Sequence, residues 1–155
     1  MKISITVNRS PEKEEAARLG REATALKSSG NLGGAIRCLQ EVKRLMGSNP
    51  RGYTAQQWLR LPLYLQEAGR FDEAMEEFQE LLASPPLARD LRATGHRLES
   101  RDVLNMLLHS EFSTIYDKMR LACSREGLNE KAEHYRRLSN KHFLGWERLN
   151  EKVHR

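Results

Sequence analysis

Three glycines, Gly30, Gly69 and Gly127, each separate two stretches in which apolar residues recur every three or four positions. That spacing predicts amphipathic helices, and glycine permits the left-handed backbone conformation in which many helices end. An alanine stands five residues after each glycine. These alanines are Ala35, Ala74 and Ala132. Because a small side chain near the start of a helix allows close approach to its neighbour, the pattern predicts three helical hairpins.

The composition also favours an all-α fold class. Leu, Ala, Glu, Arg and Lys dominate, while aromatic residues make up only 6% of the chain, and strands draw on aromatic and β-branched residues. A chain of 155 residues can bury one sizeable core. We therefore expect an extended N-terminal segment over 1–10 and a single helical-repeat domain over 11–155. Its hairpins are expected at about 11–46, 54–83 and 100–150, with an insert at about 84–99.

Local signals place several helix boundaries and one irregularity. Ser10 before Pro11, and Ser100 before an acidic residue, are typical N-terminal caps. Pro62 lies inside the third predicted helix, at about 54–68, and should bend it because proline lacks a backbone N–H. A long helix from Ser100 to about residue 125 offers a spine. The expected buried face of the last helix consists of Ala132, Tyr135, Leu138, Phe143, Trp146 and Leu149.

The middle hairpin resembles a tetratricopeptide repeat, a helical hairpin of 34 residues. The matching positions are Trp58, Leu61, Ala74, Phe78 and Pro86. Departures from the pattern occur at Pro62, Leu65 and Leu81. The resemblance implies stacked helix-turn-helix hairpins in a right-handed α-solenoid, capped by the C-terminal helix. It also implies a protein-binding adaptor or scaffold whose concave groove, lined by the first helix of each hairpin, receives a peptide or helix of a partner protein.

Positions carried over from this resemblance define the candidate groove. The partner-binding candidates are Lys27, Gln56, Leu59, Arg60, Leu63, Lys118, Leu121 and Arg125. Thr24, Gln66 and Asp117 fall at neighbouring groove positions. In this interpretation the leucines bury apolar side chains of the partner. The cations bind its carboxylates and orient it.

The pattern of reactive side chains predicts a protein that is not an enzyme and that has no cofactor or metal site. The five histidines show no metal-ligand spacing, and Cys38 and Cys123 fall on stripes that are expected to be buried. The segment from Met1 to Asn8 lacks the apolar run of a signal peptide, and no segment approaches 18 consecutive apolar residues. We therefore expect a cytoplasmic protein with no membrane association.

Two alternative functions remain open at this point. The net charge is +5, and its surplus lies in the C-terminal part, so the last helices could bind nucleic acid and lose affinity steeply with salt. The residues concerned are Arg120, Arg125, Lys131, Arg136, Arg137 and Lys141. Alternatively, the alternating residues Ile3, Ile5 and Val7, or the end of the helical stack, could mediate self-assembly as a homodimeric scaffold or regulatory subunit.

Overall fold

The computed structural model describes residues 10–95 and 100–155, and every regular element in these ranges is an α-helix. The helices are α1 (Pro11–Ser28), α2 (Leu32–Ser48), α3 (Ala55–Trp58), α4 (Arg60–Glu67), α5 (Phe71–Ala83), α6 (Pro86–Thr94), α7 (Arg101–Arg125) and α8 (Asn129–Val153). The predicted all-α class is confirmed for these residues. The predicted strand-like residues Ile3, Ile5 and Val7 lie outside them.

The chain divides into two compact units, Met1–Asn49 and Pro50–Arg155, and each is described by itself. The arrangement of all three hairpins in one repeat domain stays a prediction. None of the helices in the two described ranges is long and apolar enough to cross a lipid bilayer.

In the first unit, α1 packs against α2. The hydroxyl of Ser10 accepts a hydrogen bond from the N–H of Lys13 at 3.3 Å, which confirms the predicted cap of α1. The buried apolar side chains recur at helical spacing along both helices. They are Ala16, Leu19, Ala23, Ala35, Ile36, Leu39, Val42 and Met46. Cys38, predicted to be buried on this stripe, is only partly buried.

The three predicted glycine turns share one geometry. Gly30, Gly69 and Gly127 have φ angles of 85°, 76° and 73°, a region that side chains with a Cβ rarely adopt. In each turn the glycine N–H donates to the carbonyl three residues earlier, at 3.0 Å, and the next N–H donates to the carbonyl five residues before it, at 2.8–2.9 Å. These two bonds satisfy the last carbonyls of the helix. The alanines that follow are 0%, 0% and 9% exposed.

The third predicted helix is two helices, α3 and α4, with Leu59 between them at φ −75° and ψ −12°. Pro62 accounts for this interruption. Its ring nitrogen has no proton to donate to the carbonyl of Trp58, four residues earlier. Thr54 and Gln57 form a capping box at the start of α3. Trp58, which the sequence assigned to the core, is 6% exposed.

The second unit is arranged around α7, which contacts α3, α4, α5, α6 and α8. Its buried stripe consists of Ile115, Met119, Ala122 and Cys123. The start of α6 is joined to it, since the backbone N–H of Leu87 donates to the carboxylate of Glu111 at 3.0 Å. The long helix therefore serves as the predicted spine of this unit.

The predicted buried face of α8 is wrong for most of its residues. Of that set only Ala132 is buried, and Phe143 is 48% exposed. The remaining four side chains are partly exposed. The reason is that only α7 packs extensively against α8, so a single neighbour covers one side of this 25-residue helix.

Phe78 of α5 is fully buried, with 0% exposure, among the side chains of the second unit. Replacing Phe78 by alanine should lower the free energy of unfolding by about 3–5 kcal/mol, because it removes a large apolar contact and leaves a cavity. Urea titration followed by circular dichroism measures this change. The adjacent and exposed Gln79 is the control, since its replacement by alanine should change stability by less than about 0.5 kcal/mol. Equal effects of the two substitutions would contradict the buried position of Phe78.

Candidate functional site: a groove of three helical segments

A groove of about 590 Å³ opens on the second unit. One side comes from α3 and α4, the floor from α7, and the other side from α8. Its lining residues are Gln56, Leu59, Arg60, Leu63, Ser113, Thr114, Asp117, Lys118, Ser139, Asn140 and Phe143. The volume lies within the range of about 300–1,000 Å³ that is usual for binding pockets.

Five of the eight partner-binding candidates line this groove. They are Gln56, Leu59, Arg60, Leu63 and Lys118. Leu59 is only 2% exposed, so it belongs to the packed core and offers little surface to a partner. Leu63 is partly exposed and remains available as an apolar contact.

The other three candidates, Lys27, Leu121 and Arg125, do not line the groove. Lys27 lies on α1 in the first unit. Arg125 is engaged elsewhere, since its guanidinium donates to the side chains of Gln66, at 3.4 Å, and Glu67, at 3.5 Å. The sequence placed these residues by analogy with a regular repeat, and the structure brings only the central ones together.

Polar bonds join α4 to the C-terminal end of α7. Gln66 is only 6% exposed, and its amide donates to the carboxylate of Glu126 at 3.0 Å. The bonds from Arg125 reinforce the same junction. If the buried amide of Gln66 lost these partners, no hydrogen bond would offset the free energy cost of removing it from water. The contact therefore holds the α4 side in place.

The α8 side is held to the floor by two serines that line the groove. The hydroxyl of Ser139 donates to the backbone carbonyl of Ser113 at 2.8 Å, and the two hydroxyl oxygens lie 3.2 Å apart. Serine side chains are short, so these bonds bring α7 and α8 close together at this level. The two serines thus join the floor of the groove to its α8 side.

The charge of the lining is positive. Arg60 and Lys118 contribute two cations, and Asp117 is the acidic residue among the described side chains of the lining. Its carboxylate accepts a hydrogen bond from Arg120 at 3.0 Å, so a residue outside the lining already neutralises it. Arg60 lies over the ring of Tyr64, 5.5 Å from its centroid.

Phe143 supplies the exposed aromatic surface of the groove. Its side chain is 48% exposed and its ring stacks against Trp146 with centroids 5.8 Å apart. Aromatic side chains in such positions contribute much of the energy of many interfaces because they bury a large area with few rotatable bonds. The neighbouring Leu144 is 58% exposed but does not line the groove.

Sequence reasoning missed the α8 side altogether. Its three lining residues, Ser139, Asn140 and Phe143, share one helical face. A signal was present, because Phe143, Leu144 and Trp146 point in directions that span about 160° around the helix, which is wider than an apolar stripe of about 100°. This spread favours exposure of at least one of them.

A histidine pair lies one helical turn beyond the two serines. His109 of α7 and His142 of α8 approach with their Nδ1 atoms 2.9 Å apart. The ring of His142 also stacks on Tyr116, with centroids 5.6 Å apart, and contacts Phe112. A hydrogen bond between two imidazole nitrogens requires at least one neutral ring. Burial lowers the pKa of His142, and the charges of His109 and Lys141 lower it further.

This pair predicts a loss of stability on acidification. Since the pKa of His142 is lower in the folded chain than the usual value of about 6.5, its contribution is complete above that value and is lost as pH falls through it toward the folded pKa. Urea unfolding between pH 7.5 and 5 measures the effect. His142→Phe keeps the ring contacts and should reduce the pH dependence.

The matched control is His134→Gln, which changes an exposed histidine of the same helix and should leave the pH dependence unchanged. An identical pH dependence in wild type and the His142→Phe variant would contradict the assignment.

The two cysteine thiols of the described residues are weak nucleophiles. Burial raises the pKa of the Cys123 thiol, and it does the same for Cys38, so both are poor sources of thiolate. Among the residues that the structure describes, no group of three or more His, Cys, Asp or Glu side chains could hold a metal ion.

Comparison of the chain with models of protein families, with curated proteins and with solved structures found no match. The resemblance to tetratricopeptide repeats therefore stays a prediction.

Proposed function

We propose that this chain is a non-catalytic interaction module that binds a peptide or helix of a partner protein in the groove of α3, α4, α7 and α8. The observation that carries the proposal is the convergence of Leu63, Lys118 and Phe143 from three separate helical segments on one open groove. Apolar, cationic and aromatic side chains on a concave surface are the usual elements of peptide recognition.

The proposal includes a repeat-like organisation. Consecutive helices pack as α1 with α2, α4 with α5, and α7 with α8, each pair joined by a glycine turn of the same geometry. These features support stacked tetratricopeptide-like hairpins.

A photo-crosslinking residue introduced at position 143 should capture the partner, and mass spectrometry of the crosslink identifies the bound segment. That segment, made as a synthetic peptide with a fluorescent label, is then titrated with the chain. Phe143→Ala should weaken binding at least tenfold, because the substitution removes the exposed aromatic contact while alanine keeps the helix intact.

Leu144→Ala is the matched control. It removes a more exposed apolar side chain from the next position of the same helix, and affinity should stay within twofold of wild type. Equal losses for the two variants, or crosslinks to nucleic acid in place of a peptide, would reject the proposal.

A further inference from the structure

We infer that the occupant of the groove is a short, extended and acidic peptide segment, in preference to a partner helix. This inference rests on the proposed function and specifies the chemistry of the partner. It follows from the position of the side-chain amides of the groove and the sign of its charge.

The amides at the rim favour an extended chain. Gln56 on the α3 side and Asn140 on the α8 side are both exposed and both line the groove. A carboxamide carries donors and an acceptor and can therefore bond both the N–H and the carbonyl of an extended peptide backbone. A helix has already satisfied these groups internally. Two such amides on facing sides suit an extended chain between them.

The charge specifies an acidic segment. The lining carries two cationic side chains, Arg60 and Lys118, against the acidic side chain of Asp117. The carboxylate of Asp117 accepts a hydrogen bond from Arg120 at 3.0 Å. A carboxylate of the partner placed near Lys118 would complement this positive potential, while a lysine or arginine would be repelled. The exposed ring of Phe143 and the partly exposed Leu63 accept the apolar residue of the segment beside its acid.

The test uses a phage-displayed library of random dodecapeptides, selected on the wild-type chain and depleted on the Leu63→Glu variant. We expect the enriched peptides to share an acidic residue next to an aliphatic or aromatic one. Fluorescence anisotropy with an enriched peptide should then show at least a tenfold loss of affinity for Lys118→Glu. A peptide with lysine in place of the acid should bind that variant better than it binds wild type.

Backbone recognition is tested with the same peptide. Methylation of single backbone nitrogens removes donors without changing charge, and at least one such change should weaken binding tenfold. Gln56→Ala and Asn140→Ala should each lower the affinity for the unmethylated peptide. In each variant, methylation of the backbone nitrogen should then cause a smaller loss of affinity than it does in wild type. Thermal unfolding by circular dichroism shows whether each variant is folded, and Phe143→Ala replaces Leu63→Glu for the depletion step if the latter unfolds.

The outcomes separate the two proposals. Groove-dependent peptides that lack acids, or that bind more tightly when a covalent staple holds them helical, would overturn this inference and leave groove binding intact. A selection that enriches no groove-dependent peptide would overturn the proposed function as well.

Discussion

Burial of one stripe of α7 determines the arrangement of the second unit. Ile115, Met119 and Cys123 are completely inaccessible, and their helix contacts every other helix of the unit. Close packing of this kind tolerates little change in side-chain volume. The residues beside the stripe, Thr114 and Lys118, lie on the part of α7 that these contacts leave open, and this part is the floor of the groove. The core and the candidate site are thus adjacent faces of one helix.

Local sequence rules predicted the helices well because their signals are local. Serine caps, glycine turns and helical spacing act over a few residues, and they placed Ser10, Gly69 and Ser100 correctly. The position of Leu59 was less accessible to sequence reasoning. Burial of a side chain depends on long-range packing, of which the contact of Gln66 with Glu126 is an example, and no local pattern encodes such a pair.

The residues of the candidate site also divide into those that the sequence predicted and those that depend on long-range packing. Gln56, Leu63 and Lys118 were predicted from positions carried over from the tetratricopeptide resemblance, whereas the lining residues Ser113 and Thr114 of α7 were not predicted. Ser139, Asn140 and Phe143 were missed because apolar spacing on α8 was interpreted as burial. Spacing shows which residues share a face but not whether a neighbour covers that face. The open α8 side depends on the absence of packing, which only the three-dimensional arrangement of the described residues reveals.

The glycine turns bear on how quickly the chain acquires its structure. Between α7 and α8 the turn spans only three residues, so little chain entropy is lost when the two helices meet. The contacts of this pair nearest the turn are therefore close in sequence and form at little entropic cost. Contacts between residues farther apart along the chain, such as His109 with His142, can form after them. We expect the α7/α8 hairpin to form early and to provide the surface on which α3–α6 then assemble.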